Sequence, residues 1–299
     1  MEKIKIGTRA SRLALWQANF VAQKLSENFP VEIVKIQTTG DKILDAPLAK
    51  IGGKGLFTKE IEVALAVGKI DLAVHSLKDV PSELPAGFEI AAVTQRENPF
   101  DAFVSNKFSS LEEIPSGGVV GTSSLRRAAQ ILNLRPDLKI ENLRGNVDTR
   151  LKKLDAGNFD AVILAAAGLE RLGYGARIRK ILTEIIPAAG QGALAVEIRA
   201  GDSEIRDAVQ ILHDGKTFAA VKFERDFLKK IGGGCQIPVG VFAEADAEKI
   251  SARAVIASAD GKKILRDSTE TLDGESFAEK MLAAGGQKIM RLDFDLSFN

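Results

Sequence analysis

Over its first two-thirds the chain alternates short strand-like runs with helical stretches, and it does so in two successive units. Residues 3–7 read as a strand, and a helix follows from Ser11 with Leu13, Trp16, Phe20 and Val21 on one stripe at three- and four-residue spacing. Residues 31–37, rich in β-branched side chains, are the next strand candidate. After a helix starting near Thr58, residues 71–75 and 88–94 supply two more strands. The second unit repeats this grammar: a strand at 119–121, a helix at 123–134, a strand at 139–142, a helix capped by Asn146 and running to Ala156, and an apolar run at 159–165 suited to burial on both faces. Strands alternating with helices predict parallel α/β sheets, and two such units in tandem predict two similar lobes with a cleft between them. Weakly periodic segments near 95–99 and 187–192, punctuated by Pro and Gly, read as crossings between the lobes.

The last third changes character. A helix at 217–231 places Ala220, Phe223, Phe227 and Ile231 on one face. After the glycines 232–234 the period becomes two, with Val239, Val241 and Ala243 on one strand face and Ile250, Ala252, Ala254 and Ile256 on the next. Asp260-Gly261 predicts a tight two-residue hairpin turn leading into 262–266, and a closing helix presents Phe277 and Met281. This is a small α+β domain with an antiparallel sheet. With 45% apolar and 27% charged residues, the 299-residue chain is neither disordered nor a disulfide scaffold. Its net charge of +1 gives no global field for nucleic acid, and no basic helix or aromatic platform accompanies its cations. The longest apolar stretch, 161–169, is far shorter than the ~20 residues that cross a bilayer. No apolar signal core follows the first residues, so the expectation is a soluble cytoplasmic protein.

Cations gather at strand ends and loops. Gly121-Thr122-Ser123-Ser124-Leu125-Arg126-Arg127 lies where a strand hands over to a helix, so free N–H groups, hydroxyls and two guanidiniums can meet an anion there; a capped surface helix with solvated arginines is the plainer reading. Arg9 and Ser11 hold the same strand-to-helix position in the first unit. Lys50, Lys54 and Lys59 lie in or beside a glycine-rich loop spanning 38–57, Arg144 and Arg150 flank the turn Leu143-Arg144-Gly145-Asn146, and Lys78 follows a strand. Ligands of open α/β sheets bind beyond the carboxyl ends of strands, so a near-neutral chain that concentrates cations there suits a polyanion. In His75-Ser76-Leu77-Lys78-Asp79-Val80-Pro81, Asp79 can steady a positive charge or shuttle a proton; an ordinary salt bridge is the competing reading. His75, a lone histidine ending an apolar strand, reads first as a packed, hydrogen-bonded residue. Gly232-Gly233-Gly234-Cys235-Gln236 leaves room beside the chain's one thiol, which is either a covalent attachment point or an inert core residue. With one Cys and two His, no metal site is expected.

Taken together, the ordered set Thr8-Arg9-x-Ser11, Gly52 to Phe57, His75 to Pro81, Gly121 to Arg127, Leu143 to Asn146, Gly190-Gln191-Gly192 and Gly233 to Gln236 closely resembles the porphobilinogen deaminase (hydroxymethylbilane synthase) family, from Lys5 to about Leu292. Gly232, where the family often has an acidic or bulkier residue, and a short tail are the departures. The resemblance implies two periplasmic-binding-protein-like α/β lobes, the first from 1–95 plus a return segment at 193–212 and the second from 99–188, with a C-terminal α+β domain at 216–299. It implies a transferase of tetrapyrrole (haem) biosynthesis that condenses four porphobilinogen molecules, with loss of ammonia, onto a dipyrromethane cofactor. The linear hydroxymethylbilane is then released by hydrolysis. By the same resemblance Cys235 is the thioether anchor, and Asp79 is the catalytic carboxylate facing pyrrole nitrogens. Lys78, Asp79, Ser124, Arg126, Arg127, Arg144 and Gly145 would hold the cofactor. Arg9, Ser11, Arg144, Arg150, Gln191 and Phe57 would hold the substrate, and Lys50 and Lys54 belong to a loop over the cleft. A monomer that passes its product to uroporphyrinogen III synthase is also implied. The competing readings are a two-lobed protein that binds an organic anion without catalysis, and an unrelated transferase using Cys235 as an acyl nucleophile.

Overall fold

The computed structural model describes residues 3–39, 58–232, 237–246 and 248–290. Its contacts divide the chain into two units, residues 1–97 with 192–219 and residues 98–191 with 220–299. The described residues form three sheets.

The first unit holds a five-stranded sheet built from β1 (Ile4–Arg9), β2 (Val31–Ile36), β3 (Leu72–Ser76), β4 (Phe88–Val93) and β10 (Leu194–Arg199), in the order β2-β1-β3-β10-β4. β1 runs parallel to β2 and β3, whereas β10 is antiparallel to both of its neighbours. The sheet is therefore mixed, which corrects the expectation of wholly parallel sheets. Period-two alternation sorts its side chains. Ile4, Ile6, Leu72, Val74, Val196 and Ile198 face Ala18, Val21 and Leu25 of α1 (Arg12–Leu25), together with Ile205 and Val209 of α6 (Ser203–Val209). Ala73 faces the other way, against Ile61 and Leu65 of α2 (Lys59–Ala66). Each fully buried Leu or Ile contributes ~1.5–3 kcal/mol. The buried stripe of α1 runs through Gln17, Ala18, Val21 and Leu25, while Trp16 and Phe20 are half-buried at its flank and stack 5.7 Å apart.

The second five-stranded sheet is made of β5 (Asp101–Val104), β6 (Val119–Gly121), β7 (Lys139–Glu141), β8 (Ala161–Ala165) and β9 (Lys180–Leu182), ordered β7-β6-β8-β5-β9. It has the direction pattern of the first: three parallel strands, then an antiparallel fourth, then a fifth aligned with the first three. α3 (Leu125–Leu134) covers one face through Ile131 and α4 (Val147–Asp155) the other through Leu151 and Leu154, and α5 (Ala166–Arg171) follows β8. In both sheets the antiparallel fourth strand lies just beyond a sequence segment read as a crossing.

The third sheet, β11 (Val239–Ala245), β12 (Ile250–Ala257) and β13 (Ile264–Glu270), is antiparallel throughout. Its inner face packs on Phe223, Phe227 and Ile231 of α7 (Gly215–Ile231) and on Phe277 and Met281 of α8 (Gly274–Met281). The Asp260-Gly261 turn is not a two-residue hairpin. The strands end at Ala257 and restart at Ile264, and Asp260 accepts from the Ser258 hydroxyl at 2.6 Å and the Lys262 N–H at 3.1 Å, folding a wider loop. Among the described residues, no helix is long and apolar enough to cross a membrane.

Candidate active site

In the first unit, β1 ends at Arg9 and Ser11 caps α1, its hydroxyl accepting from the Ala14 N–H at 3.3 Å. β3 ends at Ser76, whose hydroxyl accepts from Gln17 Nε2 at 2.7 Å. A 3₁₀ turn over Leu77–Asp79 follows, held by the Leu77 N–H donating to Ala193 O at 3.0 Å and the Val80 N–H donating to Leu77 O at 3.1 Å. Burial of Leu77 at 2% exposure anchors this turn, so Lys78 is left half-buried and Asp79 exposed. Arg9, Ser11, Gln17, His75, Ser76 and Asp79 line one small pocket of about 70 Å³ with Thr58 and the apolar side chains around them.

In the second unit, β6 ends at Gly121, where a Cβ would meet the Phe159 ring at 2.8 Å. The Ser124 hydroxyl then caps α3 by accepting from the Arg127 N–H. The helix turns Arg126 and Arg127 inward, to 5% and 7% exposure, onto fully buried Asp101 at the start of β5. Arg126 Nη1 donates to Asp101 Oδ2 at 2.8 Å and to Ile186 O at 2.7 Å. Arg127 donates from Nε and Nη2 to Asp101 Oδ1 at 3.0 and 2.7 Å, and from Nη1 to Ile163 O at 3.1 Å. Burial pushes the Asp101 carboxyl up, and the two guanidiniums more than offset this, holding it well below the usual carboxylate range. The solvated arginines of the plainer sequence reading are thus replaced by a buried ion triad.

The next turn continues this wall. Asn146 caps α4, accepting from the Thr149 N–H at 2.9 Å, and Gly145 precedes it at φ +110°, where a Cβ would sit 2.7 Å from Thr149 Cγ2. Arg150 Nε donates to Gly145 O at 2.8 Å, and the Ser123 hydroxyl donates to Leu143 O, tying the two cationic turns together. Arg144 Nε is buried without a hydrogen-bond partner. Gln191 Nε2 donates to Asp101 Oδ1 at 2.9 Å and to Pro99 O at 2.7 Å, and the Gly190 N–H donates to fully buried Glu224 of α7 at 2.6 Å.

The structure therefore brings Arg9, Ser11 and Asp79 to one pocket, with Lys78 in the same turn. Separately, it brings Ser124, Arg126, Arg127 and Gln191 around Asp101, with Arg144, Gly145 and Arg150 in the adjoining turn. Lys50, Lys54, Phe57 and Cys235 lie outside the described residues. Asp101, Gln17, Glu197 and Glu224 were missed by sequence reasoning; an acid opening the apolar run 101–104 was the one available signal. Among the described residues, no three His, Cys, Asp or Glu side chains group as metal ligands.

The model of the family domain described as "Porphobilinogen deaminase, dipyromethane cofactor binding domain" matches residues 4–207, and that of "Porphobilinogen deaminase, C-terminal domain" matches 218–283. The chain is 50% identical to the porphobilinogen deaminase of Thiobacillus denitrificans over 97% of its own length and 98% of the relative's. It is 49% identical to that of Maridesulfovibrio salexigens over 99% of each. Among solved structures, the methionine-binding protein MetQ aligns with 73% of this chain and 92% of its own at 14% identity and a TM-score of 0.48.

Proposed function

Because the chain belongs to the porphobilinogen deaminase family, we propose that it condenses four porphobilinogen molecules stepwise, with loss of ammonia, onto a dipyrromethane primer held through Cys235 and releases linear hydroxymethylbilane. The observation that carries this reading is the pocket in which exposed Asp79 stands with Arg9 and Ser11 at the carboxyl ends of two parallel strands.

The residues suit a group that bears carboxylates. Arg144 keeps a buried Nε without a partner, and the protein bonds of Arg126 all fall on Nη1, which leaves Nε and Nη2 for an acceptor. Gly240, five residues after Cys235 in sequence, lies against Arg126: a Cβ there would be 3.1 Å from Arg126 Cδ. Ser124, Arg126, Arg127, Arg144 and Gly145 with Lys78 would hold the cofactor, which when bound supplies the nucleophilic pyrrole carbon to which each new unit adds. Arg9, Ser11 and Arg150 would take the acetate and propionate groups of the substrate, Gln191 would contribute beside them, and Phe57 would stack near a pyrrole ring. Asp101 fixes the positions of Arg126 and Arg127, so their charges meet the ligand without reorganising. As ammonia leaves porphobilinogen, positive charge develops on the substrate pyrrole. The Asp79 carboxylate stabilises that charge and then takes up the proton lost when the ring regains aromaticity. A cytoplasmic monomer that hands its linear product to uroporphyrinogen III synthase completes the proposal.

Incubating the purified protein with porphobilinogen tests the reading. One ammonia released per substrate consumed, with a linear tetrapyrrole as product, is expected. Saturable binding of porphobilinogen without ammonia release would instead support the organic-anion-binding alternative.

A further inference from the structure

A second ionisable cluster lies behind the Asp79 pocket, on the α2 face of the first sheet. Glu197 of β10 is fully buried and His75 of β3 is 7% exposed. In the β3–β10 ladder, His75 pairs with Ala195 and Ala73 with Glu197, so the two side chains are diagonal neighbours on one face. His75 Nε2 lies 2.8 Å from Glu197 Oε2. The other oxygen of Glu197 is buried without a partner, and so is Oε1 of Glu62, which α2 brings to the same face at 8% exposure. Burial raises the Glu62 carboxyl above its ordinary value; the nearby Thr58 hydroxyl opposes this, Glu197 adds to it, and His75 opposes it. Of the two carboxyls, Glu197 is the one within hydrogen-bond reach of the imidazole.

We infer that Glu197 is a positioning residue that fixes His75 as its Nε2–H tautomer and so leaves Nδ1 as a proton acceptor in the Asp79 pocket. A carboxylate that accepts from one ring nitrogen decides which nitrogen is basic. Among the described residues, the ionisable groups that line this pocket beyond His75 are Arg9 and Asp79. This use of the dyad rests on the condensation proposed above; the tautomer does not. Each condensation breaks one C–H bond, whose electron pair returns to the pyrrole ring. The proton passes to Asp79 and then to Nδ1 of His75, where Glu197 stabilises the imidazolium, and it departs with the released ammonia as ammonium.

The chain has two histidines, so ring-nitrogen NMR of the histidine-labelled full-length protein gives two signal sets, and His213→Gln assigns them. For neutral His75, an unprotonated Nδ1 and a protonated Nε2 are expected. Glu197→Gln should mix the tautomers, because an amide presents either its oxygen or its nitrogen. In turnover of porphobilinogen, Glu197→Gln should lower kcat on the order of 10-fold or more with KM nearly unchanged. An Nδ1–H tautomer in the wild type overturns the inference, as does an unchanged spectrum or an unchanged kcat in folded Glu197→Gln. Should Glu197→Gln fail to fold, the wild-type spectrum decides. A protein that never turns over porphobilinogen contradicts the proposed function and leaves the spectrum to judge the tautomer.

Discussion

Each α/β lobe buries ionisable side chains behind a turn at strand ends, and the two lobes settle the charge differently. Around Asp101 every carboxylate oxygen is engaged: Oδ1 accepts from Arg127 and Gln191, and Oδ2 from Arg126. Around Glu197, the imidazole serves one of two buried carboxyls, and an oxygen on each is left without a partner. The first arrangement is an ion triad whose charges stay fixed, as positioning of guanidiniums for an anionic ligand requires. The second leaves acceptor oxygens open, as the proton relay inferred above requires. Saturated pairing therefore goes with the proposed anion site, and incomplete pairing with the proposed proton transfer.

The largest expected effect separates the exposed carboxylate from both buried clusters. Asp79→Asn should lower kcat for porphobilinogen by roughly 10²–10⁴-fold. Because Asp79 is exposed at the end of a turn anchored by Leu77, the thermal midpoint should hold. Steady-state kinetics beside a melting curve read both. Asp101→Ala breaks the saturated cluster and strands two buried guanidiniums, so denaturant unfolding should report a loss of ~3–5 kcal/mol. The same variant should also weaken carboxylate binding through both arginines.

The pH dependence of stability sharpens the contrast, because the two clusters contribute with opposite sign. The Asp101 carboxyl is depressed in the folded protein, so its contribution is complete above the unfolded value near 3.8 and is lost as the pH falls through the folded value. The Glu62 carboxyl is raised, so its contribution is complete below 4.5 and is lost as the pH rises through the folded value. Urea unfolding at several pH values should therefore show Glu62→Gln gaining stability relative to wild type as the pH rises above 4.5. A difference that is flat with pH would mean that Glu62 holds no proton. The smallest effect is local: Ser124→Ala removes the cap beneath Arg127 and should cost ~1 kcal/mol in the same assay.

Local chemistry made part of this legible in the sequence. The Asn146 cap, the helix starts near Ser11 and Ser124, the strand at 119–121 and the shared face of Ala220, Phe223, Phe227 and Ile231 were all readable, because each depends on neighbours within a few residues. The mixed sheets were not. β5 and β10 are short runs with buried acids in them, and their antiparallel pairing is set by partners elsewhere in the chain. Asp101 meets Arg126 across 25 positions, and His75 meets Glu197 across 122, separations at which no periodicity operates. The Asp260-Gly261 signal located the turn but not its length, because Ser258 and Asp260 bond to each other and widen the loop. The grouping of Arg9, Ser11 and Asp79 was foreseen as cations and an acid at strand ends; that His75 and Gln17 line the same pocket was not.

The proposal that this chain grows a tetrapyrrole on a primer tethered to its cysteine is tested most directly by intact-mass spectrometry of the purified protein beside Cys235→Ser. A covalent excess of two pyrrole units on the wild type, missing from the variant, is the expected result. A wild-type chain at its bare sequence mass that still converts porphobilinogen at full rate would contradict the account.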